Sequence, residues 1–244
     1  MSDQIKKILI FMRHGEKMKR TGKIPLCGIF DSELSPFGIN QSFNAGQKLL
    51  SEVKKHNISS ISPSEIHIIT SPYIRTLQTT AHFIRGIISQ NFINDDNASD
   101  LYNISIEYGI RERLHKEKTE EKIPKNFLNF LNNPNYKNID EELKKLKFTI
   151  SNDSEFSSEK ESKDECIERC KNFINEKLIN FDNNNKYKVI VIISHAGPIK
   201  YTMKNLGYNI NIDQKLPLCL QYHFDITEGI DKAKFIETID CNRN

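Results

Sequence analysis

Three apolar runs stand out along the chain: Ile8 to Met12, Ile66 to Ile69, broken only by His67, and Val189 to Ile193. A strand with one wet face alternates apolar and polar positions. Such runs therefore predict strands covered on both faces, as in a parallel sheet between layers of helices. Each run leads into a polar cluster and then a helix signal. Ser35-Pro36 supplies an N-cap and a proline at the first helical position, and Ile39, Phe43, Gly46, Leu50 and Val53 then recur at helical spacing. Ser71-Pro72 gives the same signal ahead of Ile74, Leu77, Ala81, Ile84 and Ile88. Gly197-Pro198 opens a third helix, and a fourth begins around Asp164 with Cys166, Ile167, Cys170, Ile174 and Leu178 along one side.

The tail segments "LCLQYHFDI" and "KFIETIDC" alternate, which predicts two late strands of the same sheet, paired as an antiparallel hairpin. Between about 113 and 163 the texture changes to polar stretches rich in Asn, Lys and Ser, such as "SNDSEFSSEKESKDE". This predicts an insertion with a short helix or two and a mobile stretch. There is no internal repeat. The expectation is a single α/β domain over residues 1–244, a three-layer α/β/α sandwich with a mostly parallel central sheet and a polar, partly mobile insertion at about 113–163.

Composition changes this picture little. With 244 residues, 37% hydrophobic and 27% charged, the chain can bury a substantial core. A formal net charge of +3 is too small to argue for nucleic acid or an anionic membrane, although a local basic pocket needs only two or three residues. The N-terminus lacks the apolar length of a secretory signal, and no run approaches membrane-spanning length. Five cysteines without a CxxC pair fit a reducing, cytoplasmic setting. Cys166 and Cys170 stand four apart, a spacing two metal ligands can share. No further ligand cluster accompanies them, so they read as small residues on a buried helix face, and no metal is expected.

Ligands of open α/β sheets sit at the carboxyl ends of strands, beside helix N-termini. The first strand here ends in Arg13-His14-Gly15-Glu16, the second leads to Arg75 in "TSPYIRTLQT", and the Val189 strand ends in Ser194-His195-Ala196-Gly197. Two arginines, two histidines and helix N-termini thus meet on one edge, a composition suited to a tetrahedral dianion such as phosphate. A neutral imidazole held at one nitrogen leaves the other free to attack phosphorus, and Gly15 is expected to allow a sharp turn that presents the His14 ring. Arg13, Arg75 and a protonated or donating His195 would then stabilise charge on the equatorial oxygens. A leaving alkoxide needs a proton, and "ISIEYGIRERL" offers two carboxylates for it, Glu107 and Glu112.

Taken in order, "MRHGE", "DSELSPFGINQ", "TSPYIRTLQT", "GIRERL", "DECIERCKNF" and "VIISHAGPIK" resemble the histidine phosphatase superfamily, the phosphoglycerate mutase-like fold, over nearly the whole chain. The resemblance implies a metal-independent phosphomonoesterase without a cofactor. In it His14 becomes phosphohistidine, Arg13, Arg75 and His195 form the phosphate pocket, and Glu112 donates the proton. It also places Ala196, Lys17, Gly28 and Arg113 around the substrate. The alternative within the family is a mutase dependent on 2,3-bisphosphoglycerate. Mutases of this family carry tryptophans that this chain lacks altogether, with Ile29 in place of one of them. Of their Arg-His-Tyr-Gly segment only Arg113 persists, and "SHAG" follows the phosphatase pattern. A non-catalytic module that binds a phospho-ligand or protein is the alternative of another class, opposed by the complete set of pocket residues.

Lys17, Lys19, Arg20 and Lys23 sit in a long first loop that either attracts a second acidic group on the substrate or is simply solvated. The expected partner is a small phosphate ester or a phosphoprotein, and a homodimer is compatible with the chain. Arg169 reads as a structural ion-pair partner or a helix-surface residue.

Overall fold

The apolar runs become the centre of a seven-stranded sheet in the order β4-β3-β2-β5-β1-β6-β7. The structure is a computed structural model, and it describes residues 5–19, 32–91, 101–113, 140–150, 161–183 and 186–241. The strands are β1 (Ile8–Arg13), β2 (Ile66–Thr70), β3 (Asn103–Ile106), β4 (Thr149–Ile150), β5 (Val189–Ser194), β6 (Gln221–Asp225) and β7 (Lys234–Ile239). β1 to β5 run parallel, and β6 and β7 join antiparallel at the β1 edge. The late hairpin is therefore as the alternating tail predicts. All five residues of β2 and all six of β5 are buried, because helices cover both of their faces.

The helices are α1 (Pro36–Lys55), α2 (Ile74–Asn91), α3 (Glu141–Lys144), α4 (Lys163–Asn172), α5 (Ile179–Asp182) and α6 (Ala196–Asn205), with a π-helical turn (Phe173–Leu178) joining α4 to α5. One core lies under α1 and α2, where Leu49, Val53, Phe83 and Ile87 meet Ile8, Ile10 and Ile68. The other lies under α4 to α6, where Phe173, Leu178, Ile199 and Met203 meet Leu9, Phe11 and Ile192. Alternate residues of β1 thus feed opposite cores, which gives the three-layer α/β/α arrangement. α1 and α2 cross so closely that a Cβ on Gly46 would lie 1.9 Å from the Phe83 carbonyl oxygen.

Ser35 caps α1 as its sequence signal predicts, its hydroxyl accepting from Gly38 N at 3.0 Å. α2 departs from its signal. It starts at Ile74, two residues after Pro72, and the Ser71 hydroxyl is bound to His195 at 2.8 Å. α6 starts at Ala196 with His195 as its N-cap, one residue ahead of Gly197. Cys166 and Cys170 are fully buried free thiols on the inner side of α4, packed with Tyr201. Within the stretch 113–163, α3 and the edge strand β4 are described; residues 114–139 and 151–160 lie outside the described residues. Among those described, no helix is long and apolar enough to cross a membrane.

Candidate active site

Strand order creates the site. β1 lies beside β5, and β5 beside β2, with Arg13 in register with Ser194 and Thr70 with Ile193. The segments Arg13-His14, Ser71 to Arg75 and Ser194-His195 therefore leave three adjacent strands at the same edge. The N-terminus of α6 opens there with no side-chain cap, so its first backbone N–H groups are available to an anion.

His14 is buried, and its Nδ1 lies 2.7 Å from the Gly15 carbonyl oxygen. A carbonyl only accepts, so Nδ1 carries the proton and Nε2 keeps its lone pair. No described residue bonds Nε2. Burial first, and then the charges of Arg75 and Arg13, push the His14 pKa well below its ordinary value. The ring is a neutral base of defined tautomer. Its backbone is pinned by His14 N to Ser194 O at 3.0 Å and Gly15 N to Thr79 Oγ1 at 3.0 Å.

Gly15 serves a different purpose from the sharp turn expected of it. Its φ is not in the left-handed region. What it provides is close approach: a Cβ there would lie 2.5 Å from the Gly38 carbonyl oxygen, where α1 abuts the strand end.

His195 is completely buried, 5.3 Å from His14 between ring centroids. Burial first, then Arg75, depresses its pKa well below the usual range. Of the two forms expected from sequence, protonated or donating, the ligand-free ring is neutral. Its Nδ1 lies 3.1 Å from Arg75 Nη2, which can only donate. Nδ1 therefore accepts, and Nε2–H donates to Ser71 Oγ.

Arg75 is buried in the first turn of α2 with its guanidinium 4.4 Å above the Tyr73 ring. Arg13 donates to the Leu216 carbonyl oxygen at 2.6 Å, while its buried Nε has no hydrogen-bond partner among the described residues. Burial, the largest cause, lowers the Arg13 pKa; Glu112 opposes that shift, and Arg75 adds to it. A buried unpaired N–H on a guanidinium that also feels a second arginine suits an anion.

The two candidate acids separate cleanly. Glu107 is buried and accepts from Gly109 N at 2.9 Å, capping a short 3-10 turn (Tyr108–Ile110). Glu112 is partly exposed and brings Oε2 to 3.3 Å from His195 Nδ1 and 3.4 Å from Arg75 Nη2. The structure thus brings Arg13, His14, Arg75, Glu112, His195 and the Ala196 end of α6 together. Lys17 is exposed and pairs by its backbone with Leu34, although its charge is felt at His14. Arg113 is half-buried and acts electrostatically on Tyr201. Gly28, Arg20 and Lys23 lie outside the described residues. Sequence reading missed Ser71 and Tyr73 as supports of His195. Ser71 is masked by its resemblance to a helix cap, and Tyr73 by its place between two stronger motifs. Among the described residues, no group of three His, Cys, Asp or Glu side chains is placed to hold a metal ion.

The chain belongs to the histidine phosphatase superfamily: the family model of branch 1 of that superfamily matches residues 9–223. Among solved structures it is similar to the ecdysone phosphate phosphatase EPPase of Bombix mori, in complex with tungstate, at 15% identity and a TM-score of 0.63. That match covers 98% of this chain and 94% of the other. It is also similar to the phosphoserine phosphatase of Entamoeba histolytica, in complex with 3-phosphoglyceric acid, at 19% identity and a TM-score of 0.51, covering 95% and 96%. At these identities the likeness is one of fold. No curated protein matches the chain.

Proposed function

We propose that the protein is a metal-independent phosphomonoesterase that works through a phosphohistidine on His14. The observation that carries this reading is the His14 ring itself, whose Nδ1 is committed to the Gly15 carbonyl, leaving the Nε2 lone pair, and which feels the charges of Arg75 and Arg13. A nucleophile of fixed tautomer, kept unprotonated by burial and two cations, can attack without first losing a proton.

The steps follow from the charges. A phosphate dianion enters among Arg13, Arg75 and the first N–H groups of α6. Its charge opposes that of the arginines, so His195 takes a proton from solvent on Nδ1, donates it in a hydrogen bond to a phosphoryl oxygen, and returns it to solvent when phosphate leaves. His14 Nε2 forms a bond to phosphorus as the bond to the ester oxygen breaks, and Glu112 protonates the departing alkoxide. Glu112, now a carboxylate, takes a proton from water as the water attacks phosphohistidine. This regenerates neutral His14 and releases inorganic phosphate. The arginines balance the charge throughout, so the reading requires no metal.

Hydrolysis of p-nitrophenyl phosphate in the presence of a chelator tests this reading. Phosphate release by the wild type that disappears in His14→Ala supports it. Interconversion of 2- and 3-phosphoglycerate without phosphate release would favour the mutase alternative.

A further inference from the structure

Three backbone carbonyls of the segment carrying Glu112 are bound by one side chain from another element. Arg169 of α4 donates Nη1–H to the carbonyl oxygens of Gly109 at 2.6 Å and Tyr108 at 3.4 Å, and Nη2–H to that of Arg111 at 3.2 Å. The same guanidinium is gripped by Glu161, with Nε to Oε1 at 2.6 Å and Nη2 to Oε2 at 2.8 Å. Glu161 also takes Arg111 Nη1 at 3.1 Å, and Arg111 Nη1 returns to the Glu112 carbonyl oxygen at 3.2 Å. Ser194, the residue before His195, closes the ring by donating to the Ile110 carbonyl oxygen at 2.5 Å.

Every carbonyl from Tyr108 to Glu112 is therefore bound by a named side chain. Loops ordinarily leave such groups to water, so this arrangement restrains a short piece of backbone at every carbonyl. The Glu161 side chain is 7% exposed, and although burial alone would raise its pKa, its bonds to Arg169 and its attraction to both arginines outweigh that and hold it below the usual carboxylate range. One largely buried carboxylate is thus shared by two guanidinium groups through charge-assisted hydrogen bonds, which favours a single geometry. What these groups share is the backbone on which Glu112 stands.

We propose that Arg169, gripped by Glu161, is the positioning residue for Glu112, setting its carboxyl where it protonates the leaving group. The inference rests on Glu112 as the proton donor. Its substance is that a planar fork reading the carbonyls of Tyr108, Gly109 and Arg111 cannot be replaced by a lysine, which offers one compact ammonium. Loosening the fork lets Glu112 drift while Arg13, His14, Arg75 and His195 stay in place on their own strands and helices.

The test uses kcat/KM, which reports transfer to His14, across phenyl phosphates ranging from p-nitrophenyl, a good leaving group, to unsubstituted phenyl. Arg169→Lys should slow phenyl phosphate at least about tenfold more than p-nitrophenyl phosphate, since only the former needs the acid. Glu112→Gln should show the same split, and the double variant should add no further selectivity, because a misplaced acid and a missing acid are the same defect. Should Arg169→Lys fail to fold, Glu161→Gln leaves the three carbonyl bonds and should give a smaller split of the same sign. Equal loss on both esters, or full additivity with Glu112→Gln, would overturn the positioning role. A His14→Ala protein that retains turnover would instead overturn the reading of the site itself, a distinct result.

Discussion

One carboxylate oxygen of Glu112 stands 3.3 Å from His195 Nδ1, on the side of the ring opposite the Ser71 hydroxyl. It shares that position with Arg75 Nη2, which lies 3.1 Å from the same ring nitrogen. The proposed acid, the proposed phosphate ligand and the proposed imidazole donor therefore already meet in the ligand-free protein. Protonation of the leaving group and binding of the phosphoryl oxygens are spatially linked as a result.

Removing the acid should show which bond it serves. Glu112→Gln keeps the shape and loses the proton. Its kcat/KM should fall by about 100-fold or more on alkyl phosphates and much less on p-nitrophenyl phosphate. A parallel fall on both would take the acid role away from Glu112, and Glu107→Gln would then be the variant to assay.

Ser71→Ala leaves the His195 Nε2–H buried without an acceptor. An unsatisfied buried donor costs about 1–3 kcal/mol. Part of that should appear as a lower Tm. Part should appear as weaker inhibition by tungstate, a tetrahedral dianion, because the ring that meets it is no longer oriented. Unchanged tungstate affinity with unchanged Tm would mean that the 2.8 Å contact contributes nothing.

Gly15→Ala forces a Cβ to within 2.5 Å of the Gly38 carbonyl oxygen and 3.0 Å of Ser42 Oγ. Both neighbours belong to α1, so the helix and the His14 backbone must move apart. The expected destabilisation is about 1–3 kcal/mol, read as a lower urea midpoint, together with a loss of kcat.

Stability should fall as pH drops below the ordinary histidine range. Burial is the largest cause of depressed proton affinity in His14, His67, His195 and His223, taking His67 to about 4 and His223 to about 3. The unfolded chain protonates these rings near the ordinary histidine value of 6.5 while the folded chain does not. Below that pH the unfolded state binds more protons, so stability present above it is lost, by up to about 1.4 kcal/mol per pH unit for each ring. Urea midpoints measured from about pH 7.5 to about pH 5 should fall steadily, and tungstate should flatten the portion due to His14 and His195. A midpoint that holds or rises would contradict the buried neutral rings.

Much of this fold can be read from the chain because its central strands are buried on both faces. The three apolar runs each end one residue short of the observed strand, since Arg13, Thr70 and Ser194 are polar yet still pair in the sheet. β4 is a different case. Its two residues, Thr149 and Ile150, extend an edge by pairing with Ser105 and Ile106, and no local pattern announces so short a strand. Arg13, His14, Arg75 and His195 are legible because each follows a strand or opens a helix. Their supports are not, since Ser71, Glu161 and Arg169 act across elements that only the folded chain brings together. Ser71 also shows how a local signal fails: the hydroxyl read as a cap for α2 serves His195, and the helix starts late.

The central claim is that the phosphoryl group passes through His14. Rapid mixing with a 32P-labelled ester in chelator, followed by denaturation and peptide mapping, addresses it directly. The account predicts an acid-labile, alkali-stable phosphopeptide containing residues 13 to 15, formed and discharged at rates consistent with turnover and missing from His14→Ala. Turnover without a phosphoenzyme, or label on another residue, would contradict it.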